Sequence, residues 1–274
     1  MLAAISRRRF SLLAGNVVAS CFVCGGCDRH ERPPSSTASS TAILKARPSA
    51  ASTVWAAGTH VLGLGDARDA LLQLPANAGE DLLPLIVLFH GAGGSGERFL
   101  RRIAAAAEGL RIALLAPDSR GRTWDAVLSE QTSLLDIVTG HRQVQGFGLD
   151  VAFLDRALER VFQKVAVDPT RIAVGGFSDG ATYALSLGLI NGDLFRRIVA
   201  FSPGFWVEGE SRGHPQIYVS HGRADEILPI DRSSRRIVPE LEKRGYTVTY
   251  REFDGGHEVP EGIAREALGG VIGQ

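Results

Sequence analysis

Residues 176–180 read Gly-Phe-Ser-Asp-Gly, a serine with a glycine two residues to either side. A serine hydroxyl attacks a carbonyl well only when an imidazole takes its proton. That imidazole keeps the correct tautomer when a carboxylate holds its other nitrogen. The chemistry to test for is therefore acyl transfer. In a chain with 32 glycines the pattern G-x-S-x-G also arises by chance, so its neighbours must decide. Arg171-Ile-Ala-Val-Gly175 is short, apolar and β-branched, which predicts a buried strand. Gly180 to Ile190 has the length and small, apolar composition of a buried helix. Between such elements Ser178 sits on a sharp turn, where Gly176 and Gly180 let strand and helix approach closely. The helix N-terminus then favours negative charge developing beside the serine.

Partners are sought after the other predicted strands. His221-Gly-Arg-Ala-Asp225-Glu-Ile-Leu-Pro229 follows the run 216–220, and Asp254-Gly-Gly-His257 follows the run 247–253. His257 is the preferred base, because only it follows the last strand, on a Gly-Gly turn. His221, His90 and His141 are its rivals. Asp225 is the preferred acid over Glu226, Asp231 and Asp254, the last of which is close enough to His257 to shape its loop instead. His90-Gly-Ala-Gly-Gly94-Ser-Gly96 follows the most apolar run and supplies backbone N–H groups for an oxyanion, from Ala92 or Gly93, with Asp179 as second donor. As a phosphate loop this run lacks the P-loop lysine, and its spacing does not fit a dinucleotide fingerprint.

The elements that must hold these groups alternate. Runs 70–74, 85–90, 112–116, 171–175, 197–201, 216–220 and 247–253 read as strands. Stretches 148–165, 180–190, 231–244 and 260–272 read as helices. This order implies an α/β fold with a mainly parallel sheet and helices on both faces. With 274 residues, 45% of them hydrophobic, and no internal repeat, one domain over 54–274 is expected. Lysine plus arginine and aspartate plus glutamate each number 30, and no basic stripe appears, so nothing calls for a nucleic acid. No cofactor or metal motif is recognised in this part of the chain.

The first residues form a separate object. Arg7-Arg-Arg-Phe10 precedes an uncharged run to Cys27, which is barely long enough for a membrane span and is diluted by Gly15, Asn16, Gly25 and Gly26, so an export signal over 1–27 is favoured over a retained span. The arginine pair resembles the twin-arginine signal read by that export machinery. Cys21, Cys24 and Cys27 have a metal-like spacing with no fourth ligand cluster. Val18-Ala-Ser-Cys21 resembles a bacterial lipobox, which implies membrane anchoring by lipid at Cys21. The alternative is cleavage and release, and either outcome places the domain outside the cytoplasm. Residues 28–53, rich in Ser, Thr, Pro and Ala, are expected to be a disordered tether. No cysteine follows Cys27, so the domain uses no disulfide.

Together, the loop 90–94, the elbow 176–180, the Asp225 segment and the Gly-Gly-His257 turn resemble the α/β-hydrolase superfamily, over about 55–274. Within it they are similar to the small phospholipase/carboxylesterase and polyhydroxybutyrate-depolymerase-like esterases. The resemblance implies the α/β-hydrolase fold, a small-molecule ester substrate and a Ser178–His257–Asp225 triad in that family's chain order. Asp179 is an unusual elbow residue, expected to disfavour anionic esters. The short polar connection 202–215 carries no apolar lid, which suits soluble or short-acyl esters. Trp124, Phe205 and Trp206 are candidates for the pocket wall, although packing of the loops explains them equally well, and residues 119–146 could form a small cap. A peptidase or thioesterase using the same triad, or a binding-only surface lipoprotein, remains the alternative.

Overall fold

The alternation of apolar runs resolves into eight strands: β1 Gly58–Val61, β2 Ala70–Leu74, β3 Leu83–Phe89, β4 Ala113–Pro117, β5 Val167–Phe177, β6 Arg197–Phe201, β7 Gln216–Gly222 and β8 Val248–Phe253. They form one sheet in the order β1-β2-β4-β3-β5-β6-β7-β8. β1 and β2 are antiparallel, and every pairing from β4 to β8 is parallel. The computed structural model describes residues 42–49, 51, 55–65, 68–78, 81–127 and 146–273. These fall in one unit, Ser35–Gln274. The leader with Cys21, residues 28–41 of the tether and residues 128–145 of the cap stretch lie outside the described residues.

β3 shows why the strands read as unbroken apolar runs. Leu85, Val87 and Phe89 enter the core on one face, while Ile86 and Leu88 enter the core on the other. A strand covered on both faces has no polar side to display. Helices α1 Gly96–Ala106 and α5 Glu261–Ile272 cover one face; α2 Leu149–Lys164, α3 Asp179–Ile190 and α4 Ser234–Lys243 cover the other. Residues Gly180 to Ile190 of α3 are all buried, as their small, apolar composition requires.

Two expectations change. α1 was not anticipated, yet its signals are present. Ser95 caps Arg98 N, Glu97 lies in the first turn, and Phe99, Leu100, Ile103 and Ala106 bury one stripe. The helix expected over 231–244 is interrupted. A 3-10 turn, Ile230–Arg232, precedes α4, because the Ser233 hydroxyl donates back to Leu228 and Pro229 carbonyls and the backbone there leaves helical geometry.

The tether expected up to residue 53 is docked over residues 42–47. Ala42, Leu44 and Ala46 are buried in alternation. Asn191, at the end of α3, accepts Leu44 N–H (2.8 Å) and donates to the Ala42 carbonyl (2.9 Å). Asp155 on α2 accepts the N–H groups of Lys45 and Ala46. Composition misled here because three alternate small or aliphatic residues suffice once the domain supplies partners for the backbone.

Candidate active site

Ser178 ends β5 and caps α3 with φ 57° and ψ −122°, a conformation L-residues avoid. The sheet and helix hold it there. Its N–H donates to Phe201 O (2.9 Å), and its carbonyl accepts from Ala181 N and Thr182 N. A Cβ on Gly180 would lie 2.6 Å from His90 O, and one on Gly176 would lie 2.8 Å from Phe89 O. The two glycines thus allow β3, β5 and α3 to meet at one point. Behind this elbow, Ser202 has a second positive φ, 52°, and its N–H bonds Ser220 O.

The candidate base and acid come from two stitched turns. Arg223 N donates to Phe253 O and Ala224 N to Gly255 O, both at 2.9 Å, so the ends of β7 and β8 move as one. Gly222 has no side chain because the Gly255 and Gly256 carbonyls fill that space. Asp225, with no exposed side-chain area, accepts Ile227 N and Leu228 N on Oδ1. Its Oδ2 accepts His257 Nδ1–H at 2.6 Å. That contact fixes the proton on Nδ1 and leaves Nε2 of His257 as the basic nitrogen. The ring lies against Phe177 (centroids 4.6 Å apart), one residue before Ser178. Among the described residues no hydrogen bond joins Ser178 Oγ to His257 in this conformation.

The rivals have other tasks. Buried His221 donates from Nε2 to Leu228 O (2.8 Å), lies 3.2 Å from Asp225 Oδ2 and accepts the Ser234 hydroxyl on Nδ1 (2.6 Å). It therefore braces Asp225 and has no free nitrogen with which to stand in for the candidate base, His257. His90 donates from Nδ1 to Gly91 O and accepts Ser119 N–H on Nε2. Asp254 and Asp231 are surface partners of Arg223 and Arg235, Glu226 is exposed, and His141 lies outside the described residues.

Burial lowers the pKa of both His90 and His221 below 6.5. Unfolded chains bind these protons near pH 6.5 while the native state refuses them, so stability is full above that pH and falls below it. The limiting slope is about 1.4 kcal/mol per pH unit for each ring. Urea unfolding between pH 7.5 and 5 is expected to show this loss, and His221→Asn to show a shallower one. An equal slope in that variant would rule out His221 as a contributor.

Of the two loop candidates for the oxyanion, Gly93 is already committed, since its N–H donates to Arg122 O at 2.7 Å. Ala92 is exposed, and no acceptor for its N–H is found among the described residues. Asp179 opens α3, so its N–H has no intrahelical acceptor. Its carboxylate accepts the Thr123 hydroxyl (2.8 Å). The role of Trp124 is corrected. The ring is 1% exposed, stacks on Tyr183 and donates to His90 O, so it buttresses the loop from the core. Trp206 lies under the Arg244 guanidinium near the end of α4, while Phe205 packs half-buried on the core between Gly204 N–Thr182 and Val207 N–Ser186 contacts. Thr123 and the Arg122 carbonyl are parts of the site that their sequence positions did not reveal, and His221, a rival for the base by position, takes a supporting place beside Asp225.

Residues 76–263 match the model of the phospholipase/carboxylesterase family. The chain belongs to that family. A relative, "Putative esterase NocK" of Nocardia uniformis subsp. tsuyamanensis, is 28% identical over 240 residues, covering 81% of this chain and 66% of its own length. The chain thus spans just under two thirds of that curated relative. Among solved structures, the esterase PE8 superposes with a TM-score of 0.57 at 22% identity, over 73% of this chain and 96% of that one. The Bacillus cereus carboxylesterase gives 0.55 at 20%, over 75% and 94%. Both share the α/β-hydrolase fold of this family member, with its eight-stranded, mostly parallel sheet.

Proposed function

We propose that the chain is an exported serine carboxylesterase acting through Ser178, His257 and Asp225. The observation that carries this is the 2.6 Å contact from His257 Nδ1 to buried Asp225, beside a serine held at positive φ. Substrate seating closes the Ser178 Oγ to His257 Nε2 hydrogen bond, a contact that often tightens only in the complex. Oγ attacks the ester carbonyl as Nε2 takes its proton, and the oxyanion meets Ala92 and Asp179 N–H groups. His257 returns the proton to the leaving alcohol. Water then attacks the acyl-enzyme by the same route, releasing the acid and restoring Ser178. Membership of the phospholipase/carboxylesterase family supports ester over peptide or thioester cleavage. Phe205 lines the acyl or alcohol pocket in this reading.

No apolar lid helix lies between β6 and β7 among the described residues, which favours short or soluble acyl groups. The leader with its arginines directs export, after which either Cys21 carries a lipid anchor or the leader is cleaved and the domain released. Hydrolysis of p-nitrophenyl esters from acetate to palmitate is expected to fall with chain length. A rise towards palmitate would overturn the short-acyl reading, and no turnover of any ester by folded protein would overturn the esterase reading.

A further inference from the structure

A concavity of about 1010 Å³ opens at the carboxyl end of β4, lined by Arg68, Ser95, Asp118, Arg120, Phe153 and Arg156 among others. It shares His90 and Gly94 with the loop after β3, so it opens on the same edge of the sheet as Ser178, two strand positions away in the order β4-β3-β5. Its carboxylates are already engaged. Asp118 accepts Gly96 N–H at the start of α1, and Asp155 accepts the backbone of residues 45 and 46. Arg68 is paired with buried Asp150 and lies 4.3 Å above the Phe153 ring.

Two cations stand differently. Arg120 and Arg122 are both exposed, and neither guanidinium has a hydrogen bond or ion pair among the described residues. The loop that carries them is nonetheless rigidly held. Ser119 N donates to His90, Arg120 N to Asp150 Oδ1 (3.1 Å), Gly93 N to Arg122 O, and the Thr123 hydroxyl to Asp179. The Arg122 Nε lies beside the oxyanion loop, 3.8 Å from where a Gly93 Cβ would stand, and Arg120 lines the concavity. Guanidinium forks on a pinned backbone match carboxylate or phosphate oxygens and lose little entropy in doing so.

We propose that this concavity is a subsite for an anionic group, a carboxylate or phosphate, carried by the ester that Ser178 cleaves. Arg122 guides that group past the oxyanion loop and Arg120 pairs with it. The inference rests on the esterase reading above. It runs counter to the expectation that Asp179, whose carboxylate accepts the Thr123 hydroxyl on the loop presenting both arginines, disfavours anionic esters.

The test compares kcat/KM of the full chain on matched esters. p-Nitrophenyl butyrate is set against mono-p-nitrophenyl glutarate for a charge on the acyl side, and phenyl acetate against 4-acetoxybenzoate for a charge on the leaving group. One anionic member is expected to be preferred by about tenfold at low salt, with the preference shrinking as salt rises. Arg120→Gln and Arg122→Gln should each reduce that ratio by about fivefold. Ratios at or below one in both pairs, or a ratio unmoved by the double substitution, would overturn the subsite. If no ester is cleaved, the esterase reading fails by itself. Calorimetry of Ser178→Ala with glutarate and with inorganic phosphate then decides the subsite: heat abolished by Arg120→Gln upholds it, and no heat with either ion sinks it.

Discussion

Ser178→Ala is expected to lower kcat on a p-nitrophenyl ester by about 10⁵- to 10⁶-fold while the protein stays folded, the scale found for the nucleophile of a cooperating triad. Asp225→Ala should cost less, about 10⁴-fold, because an imidazole without its carboxylate still accepts a proton, though less often in the right tautomer. Stability should move the other way. Ser178 holds a φ of 57° with ψ −122°, and a non-glycine residue in such a region costs about 1–3 kcal/mol. Glycine takes up that conformation freely but loses about 0.5–1 kcal/mol more backbone entropy on folding. Ser178→Gly should therefore be inactive and more stable than the parent by about 1 kcal/mol, read as a higher urea midpoint. A Ser178→Ala variant keeping a few per cent of turnover would remove Ser178 from the nucleophile role.

These effects trace back to a site whose parts were unevenly legible. The proposed nucleophile and acid lie just after the buried strands β5 and β7, and the proposed base follows the half-exposed edge strand β8; in a parallel sheet the carboxyl ends of neighbouring strands gather on one edge. Chain order and strand ends were therefore enough to pair Asp225 with His257, 32 residues apart in sequence and 2.6 Å apart in space. What stayed hidden depends on which backbone groups are already engaged. Nothing in Gly-Ala-Gly-Gly says that Gly93 N–H is committed to Arg122 O, because its partner comes from a loop after another strand. Trp124 reads as a wall residue when its neighbours are polar, yet the ring turns inward to meet Phe89, Tyr183 and the His90 carbonyl. His221 looked like a rival base because type and position cannot show that both its nitrogens are engaged. The docked segment at residues 42–47 was invisible for a similar reason: its partners, Asp155 and Asn191, are polar side chains more than a hundred residues away.

The largest structural effect is expected at Gly180. An added Cβ there would stand inside the van der Waals surface of Phe89 O and only 2.6 Å from His90 O, both backbone atoms of the strand end and loop that lead to Ala92. Neither carbonyl can turn aside as a side-chain tip could, since β3 is hydrogen-bonded to β4 and β5 on its two edges. Gly180→Ala must then drive α3 away from β3. Forced overpacking of this kind costs about 1–3 kcal/mol or more, and here it falls on an α3 whose buried side chains have no slack. The displacement also separates Ser178 and the Asp179 N–H from the opposite oxyanion donor, and a misplacement of about 1 Å can cost about 100-fold in rate. Gly180→Ala should thus lose at least about 3 kcal/mol in urea unfolding and, in whatever protein remains folded, fall about 100-fold in kcat. Gly262→Ala, on the exposed first turn of α5 with nothing within 4 Å of the new methyl, provides the matched control and should leave kcat unchanged and stability equal or up to about 1 kcal/mol higher. A Gly180→Ala protein as stable and active as that control would show that strand and helix do not meet as closely as the elbow requires, and the nucleophile's strained geometry would need another cause.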